Sequence, residues 1–319
     1  MKWVVGSLVA VALLVVWLAG REPGAGWFRW TCTLLLPLFI SGYGLKKRSL
    51  DQSGAALAVV VGFLLTAASA CFSASLIVFF LTSSRLTKWK AAEKRKLEEG
   101  YKEGGQRNWV QVVCNGGVAS GCGLIYLGLV GMTEVPLRYN DAGSPDIPSL
   151  LSLAILAALS CCCGDTWASE VGSVIGGRPR LITTLRPVPA GTNGGVTTVG
   201  VVCSVAGGAV IGLTHYLSLL VLWREGLQEG GTRVDQLELV LVGAASGFLG
   251  SLVDSLLGAT LQFSGWSEKL GRVVSSPGPS VTHVAGADVL DNHTVNFLSS
   301  LITAILIPAL WTTAHTIQW

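Results

Sequence analysis

Long apolar stretches separated by short polar segments set the pattern of this chain. Apolar runs occupy residues 3–20, 27–44, 54–81, 110–132, 149–163, 196–223, 237–262 and 295–314. A helix needs about 20 predominantly apolar residues to cross the hydrocarbon core of a bilayer. Most of the runs reach that length. Run 54–81 is too long for one upright helix and short for two, so it reads either as a tilted helix or as a helix with a short return. Run 149–163 is short unless it borrows flanking residues and continues toward Trp167. The first run follows Lys2 as a signal peptide would, but it lacks a clear A-x-A-like site and reads as a retained helix. The pattern predicts an all-α, polytopic integral membrane protein with about eight or nine transmembrane helices, residues 1–319 forming a single transmembrane domain.

Composition agrees. Half of the residues are hydrophobic and 13% are charged, and the mean hydropathy is +0.58. A soluble domain carries about 25% charged residues. The net charge of +3 carries no nucleic-acid signal, because the basic residues are concentrated in loops. The eight cysteines lie within or at the ends of apolar runs, as buried thiols do, and do not form a disulfide framework. The four histidines lack the spacing of a zinc site.

Charge sets the orientation. Segment 84–108 carries Arg85, Lys88, Lys90, Lys94, Arg95, Lys96, Lys102 and Arg107, which marks it as a basic cytosolic loop. Segment 133–148 has Arg138 as its only basic residue, beside three acids, and falls on the other side. Counting crossings from there places segment 164–195, the end of run 237–262 and segment 263–293 on the cytosolic face. Lys46, Lys47 and Arg48 also belong in the cytosol, which favours splitting run 54–81 into a hairpin.

Three polar clusters therefore meet on one face. Segment 164–195 is the richest and reads as a cytosolic active-site loop: Asp165 and Glu170, then Arg178, Arg180 and Arg186, then the turn Gly191-Thr192-Asn193-Gly194-Gly195 ahead of an apolar run. Carboxylates hold divalent metals, arginines neutralise phosphate, and glycines let backbone N–H groups approach phosphate oxygens. Asp165 and Glu170 are five apart and offset on a helix, whereas Ser169 shares the face of Asp165. Asp254 stands in an apolar run, where an ionisable group is a functional candidate. Asp288, Asp291, Asn292 and Asn296 open the last run. Each has a plain structural reading beside the functional one: Asp165-Thr166 as a helix cap, Asp254 at the interface, the 288–296 cluster capping the final helix, the glycines packing helices. Lys88 and Arg107 flank the bilayer and are phosphate candidates, while Lys90 to Glu99 reads as a solvated helix of mixed charge pairs. Gln111 and Asn115 either pack between helices or point into a site. The glycine turn is not a Walker A motif, since no Gly-Lys-Ser/Thr follows.

The ordered set SSRLTKWK (83–90), GGQRNWVQVVCNGG (104–117), GDTWASEVGSVIGG (164–177), RPVPAGTNGGVT (186–197), GSLVDSLLGATLQ (250–262) and DNHTVNFLSS (291–300) resembles the transmembrane protein 19 family, which includes the plant phytyl-phosphate kinase. The resemblance implies a CTP-dependent kinase that converts an isoprenyl monophosphate to its diphosphate. Asp165, Ala168, Ser169 and Gly172 also match a Gly-Asp-x-x-Ala-Ser-x-x-Gly pattern similar to that of dolichol kinases and CDP-diacylglycerol synthases. Those relatives carry a lysine near the phosphate turn. This chain has Arg186 there and no lysine between Lys102 and Lys269. Taken together, the expectation is catalysis by Asp165, Glu170 and Asp254, with Mg²⁺ on Asp165 and Asp254. CTP would be the co-substrate, with its phosphates on Ser169, Arg186, Lys88, Arg107 and the 191–195 turn. A lipid isoprenyl phosphate would be the acceptor, in the endoplasmic reticulum or another endomembrane. The alternative is a transporter or lipid scramblase that uses its intramembrane carboxylates.

The sequon Asn292-His293-Thr294 tests the topology. On the cytosolic face it stays unmodified when the chain is expressed in eukaryotic cells. A mass loss on endoglycosidase treatment would overturn the shared-face reading.

Overall fold

The computed structural model describes residues 26–97, 105–139, 144–222 and 236–317, so the first apolar run lies outside it. Its helices are α1 (Trp27–Lys46), α2 (Gln52–Ala68), α3 (Ala70–Lys88), α4 (Ala91–Leu97), α5 (Trp109–Leu129), α6 (Ile147–Ile175), α7 (Thr198–Leu222), α8 (Glu238–Leu261) and α9 (Asn292–Ile317). Six of them, α3 and α5 to α9, are long and apolar enough to cross a membrane, and α2 is a shorter apolar helix. Two small antiparallel sheets complete the described residues, and an all-helical reading omits them. Strands β1 (Arg180–Leu181) and β2 (Gly195–Val196) pair across the 164–195 segment. Strands β3 (Ser264–Ser267), β4 (Arg272–Val274) and β5 (Val281–Ala285) form a sheet in the order β4-β3-β5. At two to five residues each they are too short to leave a period-two signature.

Run 54–81 is a hairpin. The break is one residue, Ser69, in extended conformation with φ −158° and ψ 141°. Its N–H donates to Leu65 O at 3.0 Å and ends α2. Its hydroxyl accepts from Cys71 N at 3.1 Å and caps α3. Glu134 seals the break, accepting from Ala70 N at 3.0 Å and pairing with Arg29 at 3.1 Å. Helices α2 and α3 thus return the chain to the end it left, which puts Lys46 to Arg48 at the same end as Lys88.

Run 149–163 extends far beyond its apolar core. Asp146 caps α6 through Ser149 N at 2.9 Å, and the helix then continues for 29 residues. Residues 164–175 are therefore helix where a loop was expected, and Asp165 does not cap a helix end. Thr166 donates its hydroxyl to Cys162 O at 2.7 Å, an ordinary bond within a helix. Helix α6 is the hub of the bundle, and Leu153, Ile155, Leu156 and Leu159 are completely buried. The outer helices carry apolar residues outward, among them Leu217 and Val221 of α7 and Ile305 and Leu310 of α9.

Helices α6, α7 and α8 meet backbone to backbone. A Cβ on Gly164 would lie 2.7 Å from Gly247 Cα and 2.7 Å from Ser204 O. One on Gly247 would lie 2.9 Å from Gly208 Cα. Small residues drive helix association in lipid, where hydrophobicity gives no preference for a protein neighbour. Adding side chains here forces the helices apart. Gly247→Val is expected to lower stability by about 1–3 kcal/mol, read as an earlier thermal transition in detergent. Gly121→Ala, where a Cβ meets nothing within 4 Å, should leave the transition unchanged or raise it.

Candidate active site

The last turn of α3, the second halves of α6 and α8 and the first turns of α5, α7 and α9 open onto one polar cavity of about 710 Å³. Two carboxylates from adjacent helices line it. Asp165 Oδ1 on α6 accepts from Ser251 Oγ of α8 at 3.2 Å. Asp254 Oδ2 on α8 accepts from Ser299 Oγ of α9 at 3.2 Å. With its amide oriented to satisfy both neighbours, Asn296 Nδ2 donates to Asp254 Oδ2 at 3.2 Å and to Asn292 O at 3.0 Å. Each carboxylate is held by hydroxyls or an amide and, among the described residues, by no cation, so both keep acceptor capacity toward the cavity. Gly250 lies directly against Cys161 and allows α8 this close to α6.

Glu170 also lines the cavity, but it is occupied. It forms an ion pair with Lys94, whose side chain is 1% exposed. Lys94 Nζ donates as well to Leu86 O at 2.7 Å and Thr87 O at 3.3 Å, closing the C-terminal end of α3. Lys94 is therefore a buried structural cation and not part of a solvated charge face. Arg107 stands beside this pair. Its guanidinium donates to Ser84 Oγ at 2.9 Å and Thr87 Oγ1 at 3.5 Å. Burial draws its pKa below the ordinary arginine value while the Glu170 charge opposes that, and the group stays charged. Its backbone is fixed to the α1–α2 turn: Arg107 N donates to Ser49 O and Asp51 N to Arg107 O, both at 3.0 Å.

The glycine turn forms one wall. Gly191 and Gly194 take φ of +88° and +73°, which L side chains rarely adopt. A Cβ on Gly194 would also run into Ala259 and the Ser255 carbonyl of α8. The turn is fastened to the α8–β3 junction by Asn193, whose N donates to Ser264 Oγ and whose Nδ2 donates to Phe263 O, both at 3.0 Å. Thr192 spends its hydroxyl on Pro189 O at 2.8 Å. Thr197 accepts from Gly200 N at 3.0 Å and starts α7. The turn and the N-terminus of α7 thus face the cavity together, and a helix N-terminus attracts phosphate.

Most of the expected residues meet here: Asp165, Ser169, Glu170, Asp254, Arg107, Asn115, the 191–195 turn, Asn292 and Asn296. Four do not line the cavity. Lys88 donates to Lys47 O and, at 2.8 Å, to Ser49 Oγ, which staples α3 to the α1–α2 turn. Arg186 is exposed on the β1 side of the loop, where its carbonyl accepts from Leu181 N at 3.0 Å. Asp288 is exposed. Asp291 caps α9 through Thr294 N at 2.7 Å, and that bond holds its carboxyl below the usual range. The sequence reading missed Ser251, Ser299 and Lys94. Ser251 precedes Asp254 by three and Ser299 follows Asn296 by three, a helical polar spacing that was available. Nothing local distinguished Lys94 from its exposed neighbours. Among the described residues, no three of His, Cys, Asp and Glu gather into a metal site.

Removing Glu170 alone should strand a buried cation. Glu170→Leu is expected to cost about 3 kcal/mol, read as lost thermal stability in detergent. Adding Lys94→Met should restore most of that loss.

A family model described as integral membrane protein DUF92 matches residues 35–304. The chain is 41% identical over 279 residues to Protein PGR of Arabidopsis thaliana, covering 88% of this chain and 95% of that protein. It is 28% identical over 239 residues to the uncharacterized membrane protein sll0875 of Synechocystis sp., covering 74% and 81% of the two chains. Over 166 residues it is 27% identical to Protein VTE6, chloroplastic, of Arabidopsis thaliana, covering 52% of this chain and 46% of that one. No solved structure matches.

Proposed function

The chain belongs to the DUF92 family of integral membrane proteins, and we propose that it is a CTP-dependent kinase converting an isoprenyl monophosphate to its diphosphate. The observation that carries this reading is the cavity itself. It joins two carboxylates with no cation partner among the described residues, a half-buried guanidinium and a glycine turn at a helix N-terminus. The resemblance to the plant phytyl-phosphate kinase supplies the reaction, and the cavity holds the kinds of group that reaction needs.

In the proposed reaction an oxygen of the acceptor monophosphate attacks the γ-phosphorus of CTP. The bond from that phosphorus to the β-bridging oxygen breaks, and CDP leaves with the electron pair. The acceptor oxygen is already anionic, so little base catalysis is required and rate depends on positioning and charge. Backbone N–H groups of the 191–195 turn and the start of α7 would hold the nucleotide phosphates. Asp165 and Asp254 would hold Mg²⁺, which supplies charge neutralisation when bound. Two carboxylates without a third suit an ion that takes its remaining ligands from phosphate oxygens and water. Ser251, Ser299 and Asn296 keep the two carboxylates aimed inward. Lys46, Lys47, Arg48, Arg85, Lys88 and Lys90 sit near the cavity end, which assigns that end to the cytosol in this reading. The compartment proposed with it is the endoplasmic reticulum or another endomembrane.

The described residues at the far end of the bundle are tied to one another. There Gln236 exchanges bonds of 3.0 and 3.1 Å with the backbone of Leu137. Trp311 Nε1 donates to Tyr139 Oη at 2.7 Å. The cavity lining, by contrast, draws its polar groups from the opposite ends of these helices, which supports a catalytic cavity at that end over a transport path.

The purified protein, given labelled CTP and a panel of isoprenyl phosphates, is expected to form the diphosphate. Asp165→Asn should reduce turnover on the order of 100-fold or more, with its melting temperature maintained. Full activity in that variant would reject the role of Asp165. Ion flux or lipid flipping without turnover would reject the kinase.

A further inference from the structure

A second, apolar space lies beside the cavity. It is a groove of about 90 Å³ between α1, α2, α3 and α5, faced by Ile40, Val61, Leu76, Phe80 and Val112 among others. Pro37 of α1 packs on Gly62 of α2, where a Cβ would lie 2.9 Å from Pro37 Cβ. The groove and the polar cavity share three residues: Arg107, Gln111 and Asn115. We propose that this groove seats the hydrocarbon tail of the phosphorylated acceptor, with its phosphate on Arg107 at the junction. The assignment rests on the kinase reading and adds to it which cation serves the acceptor and where the tail enters.

Charge and shape select the occupant. The Arg107 guanidinium donates to two neutral hydroxyls, Ser84 Oγ and Thr87 Oγ1. Among the described residues no carboxylate lies within salt-bridge distance of it, because Glu170 is held by Lys94. A charged group with apolar walls on one side and polar walls on the other complements a molecule with an anionic head and a hydrocarbon tail. A nucleotide has no use for the apolar side. A soluble phosphate has none either. At about 90 Å³ the groove holds part of one hydrocarbon chain and not a pair of acyl chains, and it is partly open, so that a longer chain continues into lipid. Asn115 donates its amide to Gln111 O at 2.8 Å, which leaves its side-chain oxygen as an acceptor at the boundary. The backbone bonds that pin Arg107 to Ser49 and Asp51 fix the cation relative to both spaces. Asp165 and the glycine turn line the polar cavity and not the apolar groove, so in this assignment the nucleotide phosphates and the acceptor phosphate meet in the cavity from different elements.

The test reads binding without turnover. Farnesyl phosphate bearing a diazirine near its tail end is photolysed with the full-length protein in nanodiscs, without CTP, and adducts are mapped by mass spectrometry. Adducts are expected on α1, α2, α3 and α5 around Ile40, Val61, Leu76 and Phe80. Unlabelled farnesyl phosphate should compete, and neither farnesol nor phosphatidic acid should. Arg107→Gln should cut labelling at least 10-fold. Ala58→Phe, which fills the groove from α2, should do the same with a melting temperature within a few degrees of the parent chain, separating lost binding from lost folding. Adducts confined to other helices, equal competition by farnesol or phosphatidic acid, or unchanged labelling in both variants would overturn the proposal. Labelled groove residues with no CTP-dependent turnover on any prenyl phosphate would uphold the groove and reject the kinase. Turnover with the groove unlabelled would do the reverse.

Discussion

The contact of backbone with backbone among α6, α7 and α8 is the constraint on which the rest depends. Gly164, Gly208, Gly243 and Gly247 leave no room for a side chain at that junction. In lipid an apolar side chain gains nothing by facing protein instead of hydrocarbon, so close packing and polar contacts must hold the helices together. The glycine stripe brings Asp165 and Ser251 within 3.2 Å across the α6–α8 boundary. It also seats the N-terminus of α7 over the same cavity that the carboxylates face. A looser bundle would keep the same residues and lose the site.

At the polar end of the molecule several charged and polar side chains are committed to the scaffold. Lys94 is buried, so its charge must be matched, and Glu170 matches it. Asn193 and Thr192 commit their side chains to the scaffold, which leaves the turn with backbone groups to offer. Lys88 closes the α1–α2 turn. After this sorting, the charged groups among the described residues that line the cavity without an ion-pair partner are few: Asp165, Asp254 and Arg107, beside the backbone of the turn. That residue set is smaller than the one the sequence suggested, and it is chemically more coherent, with anionic and cationic groups kept apart by the arrangement of the helices.

Much of this was legible in the chain. The apolar runs located the helices, and the excess of basic residues at 46–48 and 84–108 favoured the hairpin that Ser69 makes. The convergence of segments 164–195, 250–262 and 288–296 followed from counting crossings. Two kinds of feature were not legible. Helix α6 outruns its apolar core, because residues 164–175 face a polar cavity and helix neighbours instead of lipid, and hydropathy cannot tell such a helix from a loop. Long-range partners were the other kind. Lys94 and Glu170 are 76 residues apart, and nothing in either neighbourhood announces the other. Arg186 was read as a phosphate ligand alongside Arg107, and Asp288 as part of the polar cluster with Asn292 and Asn296, and only packing separates the exposed residues from those in the cavity.

Arg107 shows why position outweighs residue type in such a site. It is one of eight basic residues in segment 84–108, and composition alone would rank them together. It differs in being tied down. Its N–H and carbonyl bridge to Ser49 and Asp51, Gly54 lies tight beneath its carbonyl, and the Asn108 capping box starts α5 one residue later. A cation so fixed loses little entropy on meeting an anion, whereas a mobile surface lysine must be ordered first. The local turn that pins Arg107 is therefore as much a part of the anion site as the guanidinium, and it joins the first half of the bundle, α1 to α3, to chemistry whose carboxylates all come from the second.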